Sequence, residues 1–162
     1  MRHVLRQREL IADPWRYLGE AAEATDPLIV PFAELLAKGS KWLEYGGRLG
    51  VRVSPAERVE DLAHDLPRLS LIAVEFPSPT DGRGYSHGRI LRTRLGFKGE
   101  LRAVGAVKQD QVFFLARCGF DAFELATGEN VEEAARALQR YTVAYQPADP
   151  RVAIVRQRFF VG

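Results

Sequence analysis

The sequence predicts an α/β protein with a parallel sheet of at least four βα units, half-barrel-like or open, behind an irregular N-terminal cap. From residue 49 onward, short apolar runs alternate with segments of helical periodicity, which is the pattern of successive βα units. Each connection has the length of a helix and returns the chain in the same direction, so neighbouring strands should be parallel. The 162 residues are 46% apolar and 27% charged, which indicates a single globular domain.

Four strands and four helices are expected in the core of this domain, residues 49–145. The strands are predicted at Leu49–Val53, Leu69–Phe76, Glu100–Val104 and Ala122–Leu125. The helices are predicted at Pro55–Asp65, Ser86–Leu95, Gln109–Cys118 and Val131–Tyr141. Ser54 before Pro55 and Asn130 before two glutamates are typical of helix starts, and Gly96 and Gly119 are typical of helix ends.

The flanking segments are less regular. Residues 1–48 form the predicted cap, in which residues 1–17 suggest a short hairpin or edge strand. Leu28–Val30 predicts a further strand, and Pro31–Lys38 predicts a helix that begins at the proline. Residues 146–162 predict a final strand or tail.

Each of the four core strands carries one charge near its C-terminal end, and the signs alternate along the chain. These residues are Arg52, Glu75, Arg102 and Glu124. Buried charges are costly unless they are paired, so we expect Glu75 and Arg102 to pair. Strands in sequential order bring opposite signs together, whereas a doubly wound order would set Arg52 beside Arg102; the alternation therefore favours the half-barrel order. A structural ion-pair network is the alternative to a catalytic role.

Composition excludes several classes of function. Arginine supplies 19 of the 23 basic residues, but a net charge of +2 does not indicate nucleic-acid binding. Cys118 is the sole cysteine and the three histidines lie far apart, so we expect no disulfide, no metal site and no iron–sulfur or other cofactor. The chain has no membrane-length apolar run and no signal-like start, so we expect a cytoplasmic protein without a membrane partner.

The loop after the second core strand is the main candidate site. It reads Asp81-Gly82-Arg83-Gly84-Tyr85-Ser86, and Arg89 follows on the helix. Glycines permit close backbone approach, a helix N-terminus favours negative charge, and Arg83 or Arg89 can supply a forked contact, so the loop predicts binding of a small oxyanion. The alternative is structural: Asp81 or Ser86 caps the helix and Arg83 pairs with a neighbouring carboxylate.

Two further features bear on this loop. Asp110 and Gln111 lie at the next strand-to-helix junction, so we expect them, with Glu75, Arg102 and the loop, to converge on one cleft at the strand C-termini. Residues 84–88 match the Gly-x-Ser-x-Gly pattern of hydrolases, but nine residues separate Phe76 from Ser86 and no histidine follows His87, so this assignment is rejected. No catalytic residue is therefore assigned.

Several motifs resemble a bacterial family of unknown function whose genes typically lie beside assimilatory sulfite reductase. They are the loop itself, Leu91-Arg92, Gly99–Gly105, Asp110-Gln111, Arg117–Phe123, Asp13–Arg16, Gly47–Val51 and Tyr145-Gln146. Family members are often labelled oxidoreductases involved in sulfite reduction. This chain departs from the family pattern at Ala106–Gln109, where an acidic residue after the glycine is usual, and at Gly88, where alanine is usual.

The resemblance implies an accessory protein of sulfate and sulfite reduction with sulfite reductase as its partner. Two alternatives remain open: a small enzyme that acts on an anionic metabolite at the strand C-termini, and a structural interaction module. An open sheet has unpaired edges, so a homodimer is also expected.

Overall fold

In the computed structural model, which describes residues 2–20 and 23–144, eight strands form one curled half-barrel sheet. The strands are β1 (His3–Arg6), β2 (Glu9–Ala12), β3 (Arg16–Tyr17), β4 (Leu28–Pro31), β5 (Leu49–Val53), β6 (Leu69–Phe76), β7 (Glu100–Gly105) and β8 (Ala122–Phe123). The α-helices are α1 (Phe32–Ala37), α2 (Gly39–Leu43), α3 (Arg83–Arg89), α4 (Val112–Arg117) and α5 (Val131–Ala144). The predicted strand or tail at residues 146–162 lies outside the described residues.

The strand order is β2-β1-β8-β7-β6-β5-β4-β3. Strands β3 to β8 are parallel and lie in sequential order, which confirms the half-barrel order and excludes the doubly wound one. The four core strands β5 to β8 are parallel as predicted, but the sheet as a whole is mixed, because β1 pairs antiparallel with both β2 and β8. A two-residue turn, Gln7-Arg8 with φ of 50° and 72°, joins β1 to β2, and such a turn can only link antiparallel strands.

The N-terminal cap is therefore half of the sheet rather than an irregular cover. Strand β4 and helix α1 match the predicted elements closely, with Pro31 at the helix N-cap. The hairpin β1–β2 extends one edge and the two-residue strand β3 forms the other. The hairpin β1–β2 corresponds to the one expected within residues 1–17, whereas β3 has only two residues and is too short for apolar alternation to reveal it.

The two faces of the sheet are covered differently. The main core lies on the face that carries the helices, where buried side chains of the strands pack against those of the helices, among them Leu35, Leu91, Leu115 and Leu138. The opposite face, called here the open face, has a smaller apolar cluster made of Trp15, Ile29, Leu71, Ala73 and Val104. The open face also carries the charged side chains of the core strands, among them Arg52, Glu75 and Arg102. It is therefore the face on which polar contacts with a ligand are to be sought.

The predicted helix Pro55–Asp65 is absent, and two 3-10 turns, Val59–Leu62 and Leu66–Arg68, replace it. The Glu57 carboxylate accepts a hydrogen bond from the Ser54 N–H at 2.6 Å, which closes a tight turn where a helix was expected to begin. Val59 and Leu62 are the buried residues of the first turn, and their spacing of three suits a 3-10 helix.

The helix after β6 begins earlier than predicted, at Arg83, and continues as a π-helical turn over Ile90–Arg94. It ends before Gly96, whose φ of +69° confirms the predicted helix stop. The predicted Gln109–Cys118 helix is a 3-10 turn, Gln109–Gln111, followed by α4. Asn130 Oδ1 accepts a hydrogen bond from the Glu133 N–H at 3.1 Å, which confirms the predicted start of α5.

Candidate functional site

Arg102 is the centre of a charge network on the open face. The residue is 1% exposed and lies on β7. Its guanidinium donates two hydrogen bonds to Asp13, at 2.8 and 3.1 Å, and two to Glu100, at 2.9 and 2.8 Å. A buried guanidinium with two carboxylate partners is fully compensated, so Arg102 serves the structure of the site.

Asp13 links this network to the N-terminal segment. Its carboxylate also accepts a hydrogen bond from Arg2 Nε at 2.8 Å and from the Trp15 N–H at 3.2 Å. Burial opposes ionisation of Asp13, but the hydrogen bonds and positive charge of Arg102 and the hydrogen bond from Arg2 outweigh it and hold the pKa of Asp13 below its ordinary value. These contacts hold Trp15 across the sheet, where it packs against Gly50.

Four side chains lie near the C-terminal ends of parallel strands on the open face, and we call this group the mouth. They are Tyr17 on β3, Arg52 on β5, Glu75 on β6 and Glu124 directly after β8. Arg52 Nη2 lies 3.0 Å from Glu75 Oε1, and the Tyr17 hydroxyl donates to Glu124 at 3.3 Å. The Arg52 guanidinium lies over the Tyr17 ring, 5.4 Å from its centroid.

The environment of the mouth keeps Tyr17 protonated. Burial and the negative charge of Glu124 raise the pKa of Tyr17 from 10.0 to about 12. Arg2 lies over the same ring at 4.5 Å from its centroid and 3.9 Å from a Glu124 oxygen, so it connects the mouth to the Asp13 network. The mouth therefore combines a neutral phenol with guanidinium and carboxylate groups that are each about a quarter to two-fifths exposed.

The expected Glu75–Arg102 pair does not form. Both Arg52 and Arg102 lie opposite Ala73 of β6, one from each side, so Glu75 is diagonal to both arginines. Arg102 turns instead to Asp13 and Glu100, and Glu75 pairs with Arg52. The four predicted charged residues do take part in an ion-pair network. Most of the residues that they contact, however, were not among those predicted from the core strands.

At the Asp81–Ser86 loop, the side chain of Arg83 is held by Asp81. Arg83 Nε and Nη2 donate to the Asp81 carboxylate at 3.1 and 2.8 Å, and the Arg83 N–H donates to Asp81 Oδ1 at 3.1 Å. The hydrogen bonds from Arg83 lower the pKa of Asp81, whose side chain is partly buried, while the Arg83 side chain is exposed. This arrangement matches the structural alternative for these two residues.

Gly84 and Tyr85 of the loop, and Gly88 beyond it on α3, pack against the helix-covered core. A Cβ on Gly84 would lie 2.6 Å from the Phe76 ring, and a Cβ on Gly88 would lie 2.4 Å from the Phe120 ring. The Tyr85 ring meets Phe76 edge to face at 5.4 Å between centroids. These glycines thus allow α3 to approach the sheet closely.

The remaining loop residues face solvent or the next junction. Gly82, Ser86 and Arg89 are exposed. Gln111 Nε2 donates to the Pro79 carbonyl at 3.0 Å, so the loops after β6 and β7 are in contact as expected. Asp110 lies in a groove of about 410 Å³ between α4 and α5. The loops meet, but Glu75 and Arg102 lie apart from them on the open face.

Sequence reasoning did not identify several members of the open-face network. They are Arg2, Asp13, Tyr17, Glu20 and Glu100. Two signals were available. Glu100 and Arg102 are two apart on one strand and so share a face. The Asp13–Arg16 motif concentrates an acid, an aromatic residue and a base, but it was used only for the family resemblance and not as part of a site.

None of the helices within residues 2–20 and 23–144 combines the length and apolar character needed to span a lipid bilayer. In the same residues, no cluster of three or more His, Cys, Asp or Glu side chains is arranged to hold a metal ion.

The fold and site define a half-barrel α/β protein with an ion-pair network on the face opposite its helices. No curated protein matches the chain. A family model described as a bacterial protein of unknown function, DUF934, matches residues 50–153. This match covers more than half of the sequence, so the protein belongs to the DUF934 family.

Proposed function

We propose that the protein is a cytoplasmic accessory protein of assimilatory sulfate and sulfite reduction that acts on or with sulfite reductase. The observation that carries the proposal is the family match: DUF934 matches residues 50–153. The pathway itself rests on the motif resemblance given above, which implies genes beside assimilatory sulfite reductase. In this role the protein assists electron delivery to the reductase or assembly of the reductase.

The second part of the proposal concerns the Asp81–Ser86 loop and Arg89, which would bind a small oxyanion or an anionic group of the partner. Because the fork of Arg83 is occupied by Asp81, the exposed Arg89 and Ser86 are the side chains best placed for this contact. The close approach of α3 to the sheet at Gly84 and Gly88 positions the backbone that carries these two side chains.

The pathway assignment is tested by deleting the gene and growing the strain on sulfate as sole sulfur source. We expect poor growth and accumulated sulfite, with normal growth on cysteine and rescue by the wild-type gene. Normal growth of the deletion strain on sulfate would contradict the assignment. Capture of sulfite reductase by the tagged protein would support a direct contact, whereas self-association alone would favour a structural module.

The loop is tested by calorimetric titration with sulfate, sulfite and phosphate. Arg89→Gln is expected to weaken saturable binding and Arg83→Gln to change it less, because Arg83 is already paired. Arg52→Gln, on the opposite face of the sheet, is the matched control and should leave this binding unchanged. Equal binding by wild type and Arg89→Gln would exclude the loop as an anion site.

A further inference from the structure

We propose that the mouth, made of Tyr17, Arg52, Glu75 and Glu124, binds a small zwitterion of the α-amino acid class. The ligand carboxylate would face Arg52 and its ammonium group would face Glu75. This inference is independent of the proposed partner and of the Asp81–Ser86 loop.

The first argument is position. All four side chains lie near or just beyond the C-terminal ends of parallel strands β3, β5, β6 and β8, on the face that the helices leave uncovered. Ligands of parallel α/β proteins and of barrels bind at the C-terminal ends of the strands. In the N-terminal half of these strands, Trp15 and the Asp13–Arg102 pair already cover the open face. The mouth side chains of Arg52, Glu75 and Glu124 remain 39%, 30% and 26% exposed, so this part of the open face is accessible among the described residues.

The second argument is the contrast between Arg52 and Arg102. The side chain of Arg102 is 2% exposed and donates four hydrogen bonds to carboxylates. The side chain of Arg52 is 39% exposed and meets Glu75 through one nitrogen and one oxygen. Within the described part of the chain, the Arg52 side chain forms this ion pair but donates no side-chain hydrogen bond. Arg52 therefore has forked donors available for a ligand carboxylate.

The third argument is the mixture of charge. An anion at Arg52 would also meet Glu75, and a lone ammonium group at Glu75 would meet Arg52, so like-charge repulsion opposes either ion alone. A ligand that carries a carboxylate and an ammonium group on one carbon replaces the Arg52–Glu75 ion pair with two, one to Arg52 and one to Glu75. Glu124 and the neutral Tyr17 hydroxyl lie beside this pair and can accept or donate a hydrogen bond to the ligand.

The proposal is tested by thermal melts of the full-length protein with each of the standard L-amino acids. Acetate, methylammonium and sulfate serve as probes with a single kind of charge. At roughly ten times Kd, a binding amino acid should raise Tm by about 3–6 °C. Acetate, methylammonium and sulfate should shift the Tm of wild type and the Tm of Arg52→Gln by the same amount, because none of the three is expected to bind at the mouth.

Arg52→Gln and Glu75→Gln should each abolish the Tm rise, and both positions are exposed enough to tolerate the change. Arg83→Gln, which alters an exposed Arg–Asp pair elsewhere, should retain it. The proposal is overturned if no amino acid raises Tm, if the rise persists in both mouth variants, or if acetate alone gives the same rise through Arg52. Capture of sulfite reductase by Arg52→Gln should equal that of wild type, so failure of this proposal is distinguishable from failure of the proposed function.

Discussion

Replacing Arg102 by methionine should lower the free energy of unfolding by about 3 kcal/mol. Methionine keeps an apolar stem in the core, so the change isolates the loss of charge. It removes four hydrogen bonds and leaves the carboxylates of Asp13 and Glu100, which are 0% and 10% exposed, without the guanidinium. Breaking a buried pair from one side typically costs about 3–5 kcal/mol, and the lower end applies because Arg2 still contacts Asp13.

The assay is urea denaturation followed by circular dichroism, with a thermal melt beside it. For a domain of this size, about 3 kcal/mol corresponds to a fall in Tm of about 6–12 °C. Arg83→Met is the matched control, because the Arg83 side chain is 61% exposed in its pair with Asp81 and should change neither midpoint measurably.

A double-mutant cycle with Asp13→Asn tests the physical reason directly. The double variant should be more stable than the sum of the two single changes predicts, because neutralising Asp13 removes the buried carboxylate charge that Arg102→Met leaves with Arg2 as its remaining cation. A loss below about 1 kcal/mol for Arg102→Met, the usual value of a surface pair, would refute the reasoning. A coupling free energy near zero would do the same.

Three further predictions follow from the geometry. The pKa of Asp13 is lowered in the folded state, so its stabilisation is present above its ordinary value of 3.8 and is lost as pH falls through the folded value; the stability gap between wild type and Asp13→Asn should therefore shrink in acid urea melts. The pKa of Tyr17 is raised from 10.0 to about 12, so its contribution is present below pH 10 and lost as pH rises towards 12; Tyr17→Phe should flatten the alkaline fall in stability, and an unchanged fall would contradict the assignment. Gly88→Ala should cost about 1–3 kcal/mol because its Cβ would lie 2.4 Å from Phe120, whereas Gly82→Ala, with nothing within 4 Å, should be close to neutral in the same melts.

The regular part of the fold could be predicted because its signals are local. Strands β5 and β6 have the predicted bounds, since each is an apolar run that ends next to a turn residue. The Pro55–Asp65 helix was predicted from an equally local signal, a serine before a proline, and it was wrong. The Glu57 side chain returns to the Ser54 N–H and closes a turn, so the same residues that suggest a helix start also stabilise its alternative.

The N-terminal half of the sheet could be predicted only in part. A hairpin within residues 1–17 and the strand β4 were expected, but β3 and the pairing of these strands with the core sheet were not, because they depend on long-range pairing rather than on a pattern within each strand. Strand β3 has two residues, a single period of side-chain alternation, so no repeated pattern could mark it. Its place at the sheet edge comes from parallel pairing with β4, and that pairing brings Tyr17 to the mouth. Tyr17, a member of the mouth, therefore lies on the strand with the weakest sequence signal.

The four charged residues of the core strands were recognised from the sequence as a group, but their ion-pair partners were not. The long-range pairing of Asp13 with Arg102 is the reason, and the same pairing divides the open face into a covered half and an accessible half. Asp13 and Arg102 are 89 residues apart, so no local pattern connects them. Their pairing fixes Trp15 over the sheet and closes one half of the open face around a compensated charge. The other half keeps Arg52 and Glu75 partly exposed with a single contact between them. Arg52 and Arg102 flank β6 on the same open face, but their contacts predict opposite outcomes. Loss of Arg102 should lower the stability of the fold, whereas loss of Arg52 should leave the protein folded and abolish the proposed amino-acid binding.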